Sequence, residues 1–206
     1  MKISFIILLS VSIVIISSRI KKIDSENNLI AQNTNKNVIG KNFSPESFPL
    51  PKLENPCIVV KKSQRKLELF DGEKLVKTYK IALGFAPHGD KEKEGDGKTP
   101  EGDFYVFTKN DQSRFDLSIG LSYPNFEDAE RGRKAKLISK EEYDKIVRAV
   151  KDKKMPIQNT ALGGEIYIHG GGNSKDWTCG CIALANDEIK EIFDAVPIGI
   201  SVRIET

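Results

Sequence analysis

The chain has 206 residues and a formal net charge of +3, with 32 Lys and Arg against 29 Asp and Glu. Because both signs are interspersed along the chain, no basic surface of the kind that binds nucleic acid is predicted. The length favours one folded domain with terminal appendages over two independent cores.

The N-terminus has the pattern of a targeting segment. Lys2 is followed by an almost uninterrupted apolar run at residues 3–16, and then by two serines and a basic cluster that ends at Lys22. This run has the size of a secretory signal and is short for a spanning helix, which needs about 20 apolar residues. A buried core helix is disfavoured because the run has no polar face. We therefore expect residues 1–22 to be a signal peptide or a membrane anchor, with cleavage left open, and the protein to be exported. Any contact with the membrane is expected through this segment alone.

Residues 23–55 are rich in Asn, Ser, Lys and Pro and have neither helical nor strand periodicity. Such a composition predicts a flexible linker. The folded domain is then expected to occupy residues 56–206, and the linker would let an anchored domain reach a substrate away from the bilayer.

The first half of this domain predicts strands. Residues 66–70 alternate between polar and apolar side chains and lead into Asp71-Gly72, a favoured hairpin turn pair. Further strands are predicted at residues 57–60, 75–83 and 104–108. No glycine-rich phosphate-binding loop with the correct spacing follows any of them, so nucleotide binding is not indicated.

The second half adds helices. Residues 113–132 are predicted to be irregular, and Ser139 and Glu142 then form a capping box that starts a helix. Asn186 is predicted as the N-cap of a second helix, and the last strand is expected at residues 198–204. The apolar faces of the two helices are Tyr143, Ile146, Val147 and Val150, and Ile189, Ile192, Phe193 and Val196. The fold is therefore predicted to be mainly β with two or more helices, in a mixed β-sandwich or barrel.

The candidate catalytic residues lie in sequence between these two predicted helices. A strand at residues 165–169 ends at His169, and Cys181 follows twelve residues later with a glycine directly before it. A thiol needs a neighbouring base to become a nucleophile at neutral pH, and histidine has a suitable pKa. Gly180 permits a tight turn, so that amides near the thiol can point at a developing oxyanion. The carbonyl of Gly170 is a candidate for orienting the imidazole.

The cysteines and His169 also admit a metal site or a disulfide. The chain has three cysteines, Cys57, Cys179 and Cys181, an odd number that leaves at least one thiol unpaired. A zinc site made from them and His169 is disfavoured because the Cys179-x-Cys181 pair is tighter than the usual spacing, and no metal is predicted. A disulfide between Cys57 and Cys179 stays open. His88 is interpreted as a loop residue.

Two sequence blocks resemble a known family. Gly95-Asp96-Gly97-Lys98-Thr99-Pro100-Glu101-Gly102-Asp103-Phe104 is similar to the "G-x-K-T-P-x-G-x-F" segment of the YkuD-type L,D-transpeptidases. Ile168-His169-Gly170 with Thr178-Cys179-Gly180-Cys181-Ile182 is similar to that family's "H-G … S-x-G-C-[IV]-R" motif. The resemblance extends from about residue 56 to residue 205, and it implies an L,D-transpeptidase-like fold.

The resemblance also implies site roles. Cys181 matches the nucleophile and His169 the base, while Gly180 and the Cys181 amide match the oxyanion site. Thr178 stands in place of the usual serine and keeps its hydroxyl. Ala183 stands where the motif has arginine, which leaves the choice of substrate open.

The implied function is peptidoglycan L,D-transpeptidation in the cell envelope. A tetrapeptide stem would form a cysteine thioester with loss of its terminal D-alanine, and the stem would then pass to an amine, without a cofactor. The alternatives are an L,D-carboxypeptidase or amidase that hydrolyses stems or protein links, and a non-catalytic peptidoglycan-binding module. Peptidoglycan stem peptides are the expected partners, and residues 113–157 are the expected peptide-binding lid. The sequence makes no prediction of the oligomeric state.

Overall fold

The computed structural model describes residues 50–206, in which eight strands form one sheet accompanied by three helices. The strands are β1 (Pro56–Lys61), β2 (Lys66–Asp71), β3 (Lys74–Lys80), β4 (Gly102–Ser113), β5 (Asp116–Leu121), β6 (Tyr167–His169), β7 (Ile182–Ala183) and β8 (Ser201–Glu205). The helices are α1 (Phe126–Lys134), α2 (Lys140–Lys151) and α3 (Asn186–Ala195). The predicted targeting segment at residues 1–22, and the predicted linker up to residue 49, lie outside the described residues.

The sheet has the strand order β3-β2-β1-β8-β4-β5-β6-β7, and its two ends come together. Ala82, just after β3, exchanges both backbone hydrogen bonds with Ala183 of β7, at 2.9 and 2.8 Å. Gly84 forms a second bridge, to Thr178. The sheet therefore curls back on itself, and the prediction of a mainly β, barrel-like fold with two or more helices is confirmed.

The core follows from the alternating pattern of the strands. In β8, Val202 and Ile204 are buried while the residues between and beside them are exposed. Ile189 and Ile192 of α3 pack into the same cluster as these strand residues. Each such side chain contributes about 1.5–3 kcal/mol when it is fully removed from water. The apolar periodicity read from the sequence is what builds this core.

A smaller apolar cluster lies under α1 and α2. It consists of Ala129, Ile138, Ile146 and Leu162. The predicted capping box of α2 is present, because the Ser139 hydroxyl accepts from the Glu142 N–H and the Glu142 carboxylate accepts from the Ser139 N–H.

The prediction that residues 113–132 are irregular is wrong. The segment contains β5 and most of α1, whose N-cap Asn125 forms a capping box with Asp128. The buried face of α1 is made of Asp128, Ala129 and Gly132, so it lacks the apolar repeat that marks a helix in sequence. Gly132 lets the helix approach closely, since a Cβ there would lie 2.5 Å from Leu162.

The prediction that Asn186 caps α3 is also wrong by one residue. Ala185 occupies the N-cap position, and its N–H donates to the Glu188 carboxylate at 3.1 Å. The side-chain oxygen of Asn186 accepts instead from the Gly171 N–H at 2.8 Å. This contact ties the helix to the segment that follows His169.

Strand β1 begins at Pro56, and the ordered core begins a few residues before it. Leu50 and Leu53, just before it, pack against the main core. Asp71 of β2 accepts from the backbone N–H groups of Glu54 and Asn55 at 3.0 and 2.6 Å. None of the helices within residues 50–206 is both long enough and apolar enough to cross a lipid bilayer.

Candidate active site

Parallel pairing of β6 with β7 sets the two predicted catalytic residues on neighbouring segments of the sheet. Ile168 pairs with Ile182 and His169 with Ala183, which sets Cys181 beside Tyr167. The Tyr167 N–H donates to Cys181 Sγ at 3.4 Å. His169 and Cys181, twelve positions apart in sequence, therefore lie on neighbouring segments, because the connection between the two strands returns to the same edge of the sheet.

The thiol of Cys181 is held by backbone groups. Its S–H donates to the Glu165 carbonyl oxygen at 3.3 Å, and Glu165 has the left-handed backbone conformation that is uncommon outside glycine, with φ +54°. Burial raises the pKa of Cys181 to about 11, although the hydrogen bond from the Tyr167 amide acts in the opposite direction. The thiol is therefore protonated at neutral pH.

His169 is almost entirely removed from solvent, with 2% of its surface exposed. Its Nδ1 lies 2.6 Å from the carbonyl oxygen of Gly170. Because a carbonyl oxygen can only accept, Nδ1 must carry the proton in this contact. The neutral ring then has Nε2 as its acceptor, which is the state required of a base.

Two aromatic rings enclose the imidazole. Phe115 stacks on it with ring centres 4.5 Å apart and an interplanar angle of 21°. Trp177 meets it edge-on at 5.6 Å and 73°, and the indole N–H donates to the Gly172 carbonyl at 3.0 Å. Burial lowers the pKa of His169, the Gly170 hydrogen bond raises it, and the charge of Arg114 lowers it, with a net downward shift. The imidazole is therefore neutral at neutral pH.

A tight turn presents the cysteine. Thr178 Oγ1 donates to the Cys181 carbonyl at 2.7 Å and accepts from the Gly180 N–H at 3.1 Å. Gly180 has φ +136°, a conformation that side chains disfavour. Within residues 50–206, the Cys181 N–H makes no hydrogen bond to another backbone group. That amide is a candidate for binding an oxyanion, whereas the Gly180 N–H donates to Thr178 Oγ1.

The lysine-threonine-proline block found in the sequence packs directly against this turn. Thr99 Oγ1 accepts from the Gly84 N–H at 3.0 Å, and a Cβ on Gly180 would lie 2.7 Å from the Lys98 carbonyl oxygen. The buried Lys62 ammonium donates to the Thr99 carbonyl at 2.7 Å. The two sequence blocks therefore pack into one structural unit around this turn.

A bidentate ion pair holds the connection that leads to the turn. Arg65 contacts both carboxylate oxygens of Asp176, and the shortest N–O distance is 2.8 Å. Asp176 also accepts from the Leu83 N–H at 2.9 Å. Burial raises the pKa of Asp176, but the hydrogen bonds from Arg65 and Leu83 outweigh it and hold the pKa below its usual range. Neither Arg65 nor Asp176 belongs to a sequence motif that marks this role.

The remaining predicted positions are distributed as follows. Ala183, where the family motif has arginine, is fully buried beside His169. All three cysteines are free thiols, with Cys179 exposed and Cys57 on β1, so the disulfide left open by the sequence is not formed. Across residues 50–206, no three His, Cys, Asp or Glu side chains come together as they would to hold a metal ion.

The site thus joins a protonated thiol, a dry neutral imidazole and a free amide on neighbouring strands of a curled sheet, an arrangement suited to cysteine-dependent acyl chemistry. The L,D-transpeptidase catalytic domain (YkuD) family model matches residues 55–204, so the chain belongs to this family. No curated protein sequence matches significantly.

Solved structures share the fold at low identity. The helical cell shape determining protein Pgp2 from Campylobacter jejuni (K307A mutant) has 21% identity and a TM-score of 0.50, with 79% of this chain and 51% of that one covered. Bd1075 of Bdellovibrio bacteriovorus has 22% identity and a TM-score of 0.47, with 76% and 52% covered. The L,D-transpeptidase of Xylanimonas cellulosilytica has 15% identity and a TM-score of 0.45, with 77% and 64% covered. The match spans about half to two thirds of the length of these structures.

Proposed function

We propose that this protein is a peptidoglycan L,D-transpeptidase that works through a thioester on Cys181, with His169 as the base. The observation that carries the proposal is the register of β6 and β7, which places a thiol beside the strand that bears a neutral histidine. Family membership supports a peptidoglycan stem peptide as the substrate.

In the first half-reaction, Cys181 Sγ attacks the carbonyl between the third residue of the stem and its terminal D-alanine. The S–H proton passes to His169 Nε2 as the C–S bond forms, and the carbonyl oxygen becomes an oxyanion that can accept from the Cys181 N–H. When the C–N bond breaks, the imidazolium returns the proton to the departing amine. D-Alanine leaves, and the stem is held as a thioester.

In the second half-reaction, an amine of another stem attacks the thioester carbonyl. His169 takes the proton from the amine, the C–S bond breaks, and the proton returns to the thiolate. The products are a cross-linked peptide and the resting thiol. If water replaces the amine, the same steps give a tripeptide by hydrolysis.

The resting electrostatics support a base-assisted attack over a preformed ion pair. Burial raises the pKa of Cys181 to about 11, and burial together with Arg114 lowers the pKa of His169. Both shifts favour the uncharged forms, so charge separates only as the substrate is attacked. The thiol must also exchange its hydrogen bond to the Glu165 carbonyl for one to the imidazole.

The test is incubation of the purified protein with disaccharide-tetrapeptide, followed by mass analysis of the products. We expect a dimer that has lost one D-alanine. Tripeptide alone would identify an L,D-carboxypeptidase that uses the same thioester, and a Cys181→Ala variant that turns over like the wild type would overturn the proposal. Cys179→Ala is the matched control because that thiol is exposed and two positions away. Intact-mass detection of a carbapenem adduct on Cys181 is a quicker probe.

We also propose that residues 1–22 direct export and that the domain acts in the cell envelope. The support is the basic start and the apolar run at residues 3–16. Fusion of residues 1–55 to alkaline phosphatase, which is active only outside the cytoplasm, tests this. An inactive fusion that accumulates in the cytoplasm would contradict export.

A further inference from the structure

We infer that Phe115 and Trp177 are positioning residues of the reaction, which clamp the His169 imidazole in one orientation and exclude water from it. The inference goes beyond the family pattern, in which Phe115 has no assigned part. It rests on the proposed function in one respect, namely that His169 acts as the base.

The imidazole has one polar anchor among the described residues, the Gly170 carbonyl at 2.6 Å from Nδ1. A histidine base is commonly oriented by a partner hydrogen-bonded to the ring nitrogen that does not react. One hydrogen bond fixes a single point of the ring and leaves the ring free to tilt about that point. A second constraint is therefore needed to hold Nε2 in place.

The two aromatic rings supply that constraint from different directions. Phe115 lies nearly parallel to the imidazole at 4.5 Å and covers one face, while Trp177 meets it edge-on at 5.6 Å. Phe115 and Trp177 also contact each other, with ring centres 5.5 Å apart and an angle of 66°. The three rings form a closed cluster, in which tilting the imidazole would displace both neighbours.

Backbone groups hold Phe115 and Trp177 in place. The Trp177 N–H donates to the Leu83 carbonyl at 3.1 Å, and the indole N–H donates to the Gly172 carbonyl at 3.0 Å. A Cβ on Gly170 would lie 2.6 Å from the Phe115 carbonyl oxygen. The glycine after the histidine is thus needed for the close approach of the turn that carries Phe115, in addition to its carbonyl contact.

Phe115 and Trp177 also limit the access of water to the His169 imidazole. His169 is 2% exposed although it lies on a short strand near the edge of the sheet. The positive charge of Arg114 lowers the pKa of His169, and the Arg114 guanidinium lies over the Phe115 ring at 4.7 Å. Cys181 lies just before β7, the strand that pairs with the His169 strand. Removal of Phe115 would admit water to the imidazole and weaken the hold on Arg114.

The experiment compares Phe115→Ala and Phe115→Leu with the wild type. His169 is titrated by NMR, with His88 as an internal reference because the chain has only two histidines. In Phe115→Ala we expect the His169 titration to move upward towards the usual histidine range and the acid limb of the kcat profile for D-alanine release to move with it. We expect kcat to fall about ten- to a hundredfold with little change in KM, as for a misplaced catalytic group.

Phe115→Leu keeps the apolar bulk and removes the stacking surface, so it should reduce kcat with a smaller shift of the titration. It also provides the measurement if Phe115→Ala does not fold. Phe126→Ala, an exposed phenylalanine on α1 whose ring neighbour is Tyr143, is the matched control and should leave the His169 titration unchanged.

Folded Phe115 variants with an unchanged His169 titration and unchanged kcat would overturn the clamp. Failure of the proposed function is distinguishable from this result. If His169→Ala keeps full turnover, then His169 is not the base, whatever the Phe115 variants do. If His169→Ala is inactive while both Phe115 variants behave as wild type, only the clamp fails.

Discussion

The hydroxyl of Thr178 closes the turn that carries Cys181, because its Oγ1 donates to the carbonyl oxygen of Cys181 at 2.7 Å. The same oxygen accepts from the Gly180 N–H at 3.1 Å. One side chain therefore satisfies two backbone groups of the turn at residues 178–181. A serine hydroxyl can make the same pair of bonds, which accounts for a hydroxyl residue at this position.

Thr178→Val is expected to loosen this turn. Valine keeps the shape of threonine but leaves the Cys181 carbonyl and the Gly180 amide without their partner, at a cost of about 1–3 kcal/mol. Urea unfolding should show that loss, and stem-peptide turnover should fall more steeply than stability. Thr178→Ser is the matched control and should retain most of both. Equal stability and activity of the valine and serine variants would contradict the role of the hydroxyl.

Gly180→Ala is expected to disrupt the site for a steric reason. The new Cβ would lie 2.7 Å from the Lys98 carbonyl oxygen, at φ +136°. Strain of this kind costs about 1–3 kcal/mol before any movement of the backbone. Gly72→Ala is the comparison, since Gly72 also has positive φ but faces open space. Thermal unfolding should show a larger loss for position 180, with loss of turnover at that position only; equal losses would rule out the clash.

The thiol should respond to pH as a buried group. Burial raises the pKa of Cys181 to about 11, so below that pH the thiolate fraction rises about tenfold per pH unit. In a Cys57→Ala/Cys179→Ala background, we expect the rate of alkylation by iodoacetamide to increase steadily from about pH 7 to about pH 10. A plateau below about pH 9 would instead indicate a thiolate–imidazolium pair. Cys179 as the sole thiol provides the exposed reference.

Asp176 should contribute acid-sensitive stability. Hydrogen bonds from Arg65 and Leu83 outweigh burial and lower the pKa of Asp176 in the folded protein. The ionised Asp176 therefore stabilises the fold at any pH above the pKa of the unfolded state, and this contribution is lost as the pH falls through the folded pKa. Asp176→Asn should be less stable at neutral pH by about 1–2 kcal/mol, since a charged hydrogen bond is replaced. The difference in melting temperature from the wild type should shrink in acid.

Asp103→Asn is the matched control for that measurement. Asp103 pairs with Arg203, but both side chains are largely exposed, at 71% and 59%. Exposed ion pairs contribute little, so this variant should unfold like the wild type at every pH. If Asp103→Asn and Asp176→Asn lose the same stability, the carboxylate of Asp176 has no special part in holding the loop.

Local sequence patterns predicted the elements whose signals are local. The alternation in β8 and the Ser139–Glu142 capping box both appear in the structure, because each depends on residues a few positions apart. Helix α1 could not be predicted from the sequence, because its buried face consists of small and polar residues. Gly132 on this face packs closely against Leu162. Its apolar partner comes from a distant part of the chain, so no periodic signal marks it.

The sequence by itself determined the family, the identity of the candidate nucleophile and base, and the glycine that the turn requires, since these reside in short motifs around His169 and Cys181. Only the tertiary structure decided the state of those groups. The thiol is protonated and the imidazole is dry because Glu165, Tyr167, Phe115 and Trp177 surround them. Burial and through-space contacts set a pKa and a ring orientation, and both arise from segments that meet only when the sheet curls.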